Sequence, residues 1–160
     1  MKPENGTGRK AHRGESASMA AAPFDIERFC RRALGEGHNS LLGLRYVSHD
    51  AGHVELLLPG AADLGDLAER MGQGDGPVMA LLDMAGTLSV WAACGRLRPH
   101  ATLDMRIDHL DVAPAGEPLH GRASCYSLNE TVASVRGSVR TVAGKEIAGF
   151  AAAYMFTDAP

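Results

Sequence analysis

"PVMALLDMAGTLSVWAACGRL", residues 77–97, carries the longest helical signal in the chain. Val78, Leu81, Leu82, Ala85, Leu88 and Ala92 recur at the three- and four-residue spacing that gathers side chains on one broad helix face. Pro77 suits the first turn, where its missing N–H is not needed. A rod this apolar is best buried by a sheet wrapped around it, so the segments on either side decide the fold.

Downstream the hydrophobic period drops to two. "ATLDMRIDHLDV" (101–112), "EPLHGRASCYSL" (117–128), "TVASVRGSVRTV" (131–142) and "KEIAGFAAAYMF" (145–156) are separated by Pro114-Ala115-Gly116, Asn129-Glu130 and Ala143-Gly144. This pattern predicts a four-stranded antiparallel meander. The small residues of the last run permit close approach of another layer. Upstream, Ile26, Phe29, Cys30, Ala33 and Leu34 share one face of a short helix that Gly35 and Gly37 close. Two β-like runs, residues 41–48 and 53–58, flank the turn signal Asp50-Ala51-Gly52. A short helix is expected over 61–70, followed by a glycine-rich loop at 72–76. The sum is an α+β domain of helix, hairpin, long buried helix and four further strands.

Length and composition agree with that plan. A chain of 160 residues is enough for one core and not two, so residues 23–160 read as a single domain. Residues 1–22 are rich in Gly, Ser, Ala and charge and read as a disordered tail without the apolar core of a signal peptide. Hydrophobic residues are 45% and charged residues 22%, ordinary globular values, and no apolar stretch is read as approaching the ~20 residues that a spanning helix needs. Sixteen basic and nineteen acidic side chains give a net charge of -3, which argues against nucleic acid or an anionic membrane as partner. Cys30, Cys94 and Cys125 show no metal or redox spacing. Reduced thiols in the cytoplasm are the expectation, with no metal and no cofactor.

One residue breaks the apolar helix. Asp83 lies on a narrow stripe with Gly76, Ala80 and Thr87, and burying an unpaired carboxylate costs several kcal/mol. Such an acid must reach water, find a donor or raise its pKa. The glycine loop runs straight into the helix N-terminus, where free N–H groups can hold a developing negative charge. Thr102, at the start of the next strand, is placed to bring a hydroxyl toward the polar stripe. A solvated or locally satisfied aspartate is the plain alternative.

"GPVMALLDMAGTLSVW" (76–91), "ATLDMRIDHLDVAPAGEPLHGRASCYS" (101–127) and "GKEIAGFAAAYMF" (144–156), in this order, resemble hotdog-fold acyl-CoA thioesterases of the phenylacetate (PaaI) type. The resemblance covers residues 40–157 and implies a curved antiparallel sheet around a central helix. It also implies a homodimer or homotetramer with active sites at the dimer interface and coenzyme A entering only as part of the substrate. Carried over by position, Asp83 is the catalytic acid, acting as general base or nucleophile. The oxyanion donor falls on the backbone N–H of Asp75 or Gly76, and Thr102 falls where a hydroxyl helps hold the water. Gln73, Gly74 and Thr87 are the substrate-side candidates. The chain departs from the family where His-Gly-Gly reads Gly74-Asp75-Gly76, where an amide is replaced near Ala68, and where Glu130 replaces a basic residue before Thr131. Those departures motivate a second expectation, a non-catalytic hotdog protein that binds acyl-CoA. A hydratase fits less well, since no His accompanies an acid on the central helix.

Other polar groups read as structural. His49, Asp50 and His53 sit in a turn without further metal ligands. Arg96, Arg98 and His100 follow the central helix and suit its C-terminal dipole. Arg136 and Arg140 alternate with Ser138 on a solvated or cross-strand-paired face. Trp91 and Met84 are read as core or acyl-pocket lining, with core preferred.

Overall fold

The computed structural model describes residues 24–60, 76–114 and 116–158. Two short helices, α1 (Ile26–Leu34) and α2 (Gly37–Leu41), precede strands β1 (Arg45–Asp50) and β2 (His53–Leu58). The central helix α3 (Gly76–Cys94) follows, then β3 (His100–His109), β4 (Leu119–Leu128), β5 (Val132–Thr141) and β6 (Glu146–Phe156). The expected tail at 1–22, the short helix at 61–70 and the loop residues 72–75 lie outside the described residues.

The amphipathic face read for α1 is buried through Ile26, Cys30 and Leu34. Asp25 caps the helix by accepting the Arg28 N–H at 3.0 Å. The expectation of a strand from residue 41 fails at its start. Residues 37–41 form α2 instead, because Gly37 and Gly43 adopt φ of 58° and 64°, conformations that turn the chain before β1 begins at Arg45.

All six strands are antiparallel in one curved sheet of order β1-β2-β4-β5-β6-β3. The meander expected for the last four strands is therefore corrected: β4, β5 and β6 are consecutive neighbours, whereas β3 pairs with β6 at the edge. The reason lies beyond His109. Leu110 and Asp111 both donate backbone N–H groups to the Ile147 carbonyl, at 2.9 and 3.1 Å, so the chain stays on β6 before crossing to β4. Residues 110–118 are too many for a tight hairpin and span that crossing.

The sheet curves around α3, whose Val78, Leu81, Leu82, Ala85, Leu88 and Val90 are buried against β2, β4 and β5. Burial of so many apolar side chains at about 25 cal/mol per Å² makes this contact the main source of cohesion. Gly121 of β4 leaves the space that the Leu81 side chain fills. The helix is 19 residues long with a mean hydropathy of 1.4, long and apolar enough to cross a membrane by length and composition. That corrects the reading that no run reaches such a length. Here the helix is the core of the wrapped sheet. It ends where Gly95 takes φ of 61°, three residues before Arg98.

Candidate active site

Asp83, Thr87 and Trp91 stand one turn apart on α3, along the side that meets β3 and β6. Asp83 is half-buried, and its Oδ1 accepts a hydrogen bond from the Thr102 hydroxyl at 2.8 Å. The structure thus joins the two residues that the sequence analysis had placed near each other. A bulge in the β3·β6 ladder falls between Thr102 and Asp104, with Leu103 as the extra residue. Such a bulge re-aims the side chains beside it, and Thr102 here reaches the helix while Leu103 is left exposed.

Tyr154 is the cross-strand partner of Thr102 and approaches the same acid from β6. Its hydroxyl donates to the Asp83 main-chain oxygen at 3.2 Å and lies 3.4 Å from Oδ1. The ring fits there because residue 86 is glycine: a Cβ would overlap the phenol oxygen and stand 3.0 Å from Cζ. The close approach foreseen for β6 is real, yet the small residue that permits it belongs to the helix. Burial, and then the Asp83 charge, push the Tyr154 phenol well above its ordinary pKa, with a hydrogen bond from Thr87 pulling the other way. Neither Tyr154 nor Gly86 was singled out in the sequence. The available signals were a lone hydroxyl-bearing aromatic in "AAAYMF" and a glycine three residues after the acid inside a core helix.

His100, two residues before Thr102, packs beside this pair. Its ring lies 5.0 Å from Trp91, 5.4 Å from Tyr154 and 6.0 Å from Phe156, centroid to centroid. Nδ1 stands 2.9 Å from the Arg98 carbonyl, which can only accept, so Nδ1 carries the proton. Nε2 is then a bare acceptor, buried and without a hydrogen-bond partner among the described residues. Burial lowers the His100 pKa, partly offset by the Arg98 carbonyl and by the charge of Asp83.

Of the remaining candidates, Gly76 is the exposed first residue of α3 and Thr87 is half-buried beside the Tyr154 hydroxyl. Gln73, Gly74 and Asp75 lie outside the described residues. Trp91 is half-buried and donates its indole N–H to the Arg98 carbonyl at 2.8 Å. Met84 is half-buried beside Asn39. Arg98 does not serve the helix end as expected. Its guanidinium binds both Asp158 carboxylate oxygens at 3.0 Å, donates to the Glu130 carbonyl at 2.6 Å and stacks 3.6 Å above the Phe156 ring. It ties the segment after α3 to the β4–β5 turn and to the end of β6. His49 bonds Tyr46 at 2.6 Å, and no cluster of three or more metal-ligating side chains occurs among the described residues. Arg140 pairs with Glu146 and Arg136 lies over Tyr126, as a paired surface face requires. The three cysteines are free, and burial raises each thiol, Cys30 up to about 12, so none is an activated nucleophile.

The fold that holds this carboxylate against a strand hydroxyl has counterparts among proteins of known structure. Residues 76–148, from the start of α3 into β6, match the family model of the thioesterase superfamily. The chain has the hotdog fold. A protein of known structure from Pseudomonas aeruginosa is 26% identical, with a TM-score of 0.69 over 82% of this chain and 98% of the other. The PaaI protein of the phenylacetic acid degradation operon of E. coli is 16% identical, with a TM-score of 0.69 over 86% of this chain and 97% of that one. A Streptococcus mutans protein solved with acetyl CoA is 20% identical, with a TM-score of 0.59 over 71% of this chain and 88% of the other. The search of curated proteins gave no match. The hotdog fold and the PaaI-type likeness expected from the sequence are both borne out.

Proposed function

We propose that this hotdog protein hydrolyses an acyl-CoA thioester, with Asp83 as the reacting acid. The observation that carries this reading is the Thr102 to Asp83 hydrogen bond, which holds a half-buried carboxylate at the open edge of the sheet. The match of residues 76–148 to the thioesterase superfamily model and a fold neighbour solved with acetyl CoA support the thioester and its carrier.

Two balanced routes suit one carboxylate. As general base, Asp83 takes a proton from water while the water oxygen bonds to the thioester carbon and the carbonyl electron pair moves onto its oxygen. Collapse of that adduct breaks the C–S bond, and the departing thiolate takes the proton. As nucleophile, Asp83 itself bonds to the carbonyl carbon and expels the thiolate, and water then cleaves the mixed anhydride to free the acid. In either route the developing oxyanion is held by the backbone N–H of Asp75 or Gly76 from a second copy of the chain, because Gly76 of the same helix lies about 10 Å from Asp83 along its axis. Thr87 is the described substrate-side candidate near this acid, and Gln73 and Gly74 remain candidates by the sequence resemblance alone.

A second copy completes the site. β3 is an edge strand, and Leu103, Leu110 and Val112 on and after it are 60%, 61% and 80% exposed. Pairing of β3 with another β3 covers these side chains, satisfies the open ladder and encloses Asp83. A homodimer, or two dimers as a homotetramer, follows.

Thiol release from a panel of acyl-CoAs tests the reading. Wild type is expected to turn over at least one member, and Asp83→Asn to lose at least about 100-fold in kcat. Asp83→Asn at the wild-type rate refutes the mechanism. Saturable acyl-CoA binding without release selects the non-catalytic alternative, which the sequence Gly74-Asp75-Gly76 before the helix favours.

A further inference from the structure

A carboxylate side chain ends in a soft torsion that exchanges its two oxygens unless something distinguishes them. In this protein something does. Thr102 on β3 donates to Oδ1 of Asp83 at 2.8 Å, and Tyr154, directly across the ladder on β6, brings its hydroxyl to 3.4 Å from the same oxygen. Oδ2 accepts no hydrogen bond from any described residue. The single Tyr154 O–H is shared between Oδ1 and the main-chain oxygen of Asp83 at 3.2 Å, which has a lone pair that the helix leaves spare, so the side chain and the backbone of the acid are tied to the sheet by one bifurcated donor.

We infer that Tyr154 is a positioning residue for the reacting acid: together with Thr102 it holds Oδ1 of Asp83, leaving Oδ2 as the oxygen that takes the proton or attacks the carbonyl. This assignment rests on the hydrolytic role proposed for Asp83. Three features of the surroundings support it. Tyr154 is fully buried, and the raised pKa of its phenol keeps the O–H a donor at any working pH. Gly86 leaves the space that lets the phenol oxygen reach the helix backbone. The ring itself is held edge to face by His100, whose orientation is fixed by its Nδ1–H bond to the Arg98 carbonyl. The contact is therefore built from three elements, α3, β3 and β6, none of which orders the acid alone.

Tyr154→Phe keeps the ring and removes only the hydroxyl. The test compares Tyr154→Phe, Thr102→Val and the double variant with wild type on the acyl-CoA that wild type turns over best. The readouts are melting temperature, kcat and KM separately, and the ¹³C resonance of the Asp83 carboxyl carbon at about pH 7, assigned by its loss in Asp83→Asn. Tyr154→Phe is expected to fold, to keep KM within about two-fold and to lose about ten-fold in kcat, the scale on which small misplacements of a reacting group act. Its Asp83 carboxyl resonance moves or broadens, and the double variant loses less than the product of the single losses, because both hydroxyls hold one oxygen. Wild-type kcat with an unmoved resonance, or a loss confined to KM, overturns the assignment. If wild type hydrolyses none of the acyl-CoAs, the hydrolytic reading fails by itself, while the carboxyl resonance still decides whether Tyr154 holds Asp83.

Discussion

Gly86→Ala puts the packing argument at its sharpest. In an exposed helix interior the exchange stabilises, because alanine exceeds glycine in helix propensity by about 1 kcal/mol. At residue 86 the new Cβ overlaps the Tyr154 hydroxyl oxygen and comes within 3.0 Å of Cζ and 3.3 Å of Cε2. The obstacle is a fully buried ring, enclosed by His100 on its other side, so it has little room to turn away. Overpacking of this kind costs ~1–3 kcal/mol, and after the propensity gain a net loss of about 1 kcal/mol remains, a fall of some ~2–5 °C in melting temperature. The displaced ring also forfeits the 3.2 Å and 3.4 Å contacts to Asp83, so kcat should fall by at least the loss of about ten-fold expected of Tyr154→Phe. The assay pairs calorimetry with acyl-CoA turnover, and includes Gly86→Ala combined with Tyr154→Phe, in which the offending oxygen is gone. The double variant should recover the lost stability. A Gly86→Ala protein that melts higher than wild type and keeps its rate refutes the reasoning.

Arg98→Ala removes a guanidinium whose side chain is 12% exposed and leaves Asp158 and the Glu130 carbonyl without their donor, so urea denaturation should show a loss of about 3 kcal/mol. Arg98→Lys should restore only a minor part of it, because an ammonium reproduces neither the paired bonds to Asp158 nor the stacking on Phe156. His100 has a folded-state pKa lowered chiefly by burial, so below pH 6.5 the unfolded chain binds the proton first and stability falls as the pH drops toward the folded pKa. His100→Phe should flatten the dependence of the urea midpoint on pH across that window, and an unchanged slope would assign it to other groups.

The site was legible in the sequence to the extent that its signals were local. Asp83 announced itself because a carboxylate inside an apolar period is costly, and Thr102 because a period change placed it at the start of a strand. Tyr154 stayed hidden because its meaning depends on register: it lies 71 residues from Asp83 and becomes its neighbour only when β6 pairs with β3 at Thr102. The same limit explains the strand order. Alternation identifies a strand and its faces but carries no statement of which strand lies beside it, so four successive runs read most simply as a meander. Arg98 shows a third kind of limit. A cation after a helix suits the dipole, and only tertiary structure reveals that its guanidinium is committed to Asp158 and Phe156.

The place of β3 in the sheet order has a consequence for the timing of assembly. Asp83 and Thr102 are 19 residues apart, close enough to meet early, yet the strand that carries Thr102 pairs with neither β2 nor β4 and takes its position from β6. The oxygen-holding pair is therefore completed by the last strand to be made. A nascent or partly unzipped chain carries the acid without the two hydroxyls that contact it, so the role proposed for Asp83 requires the closed fold.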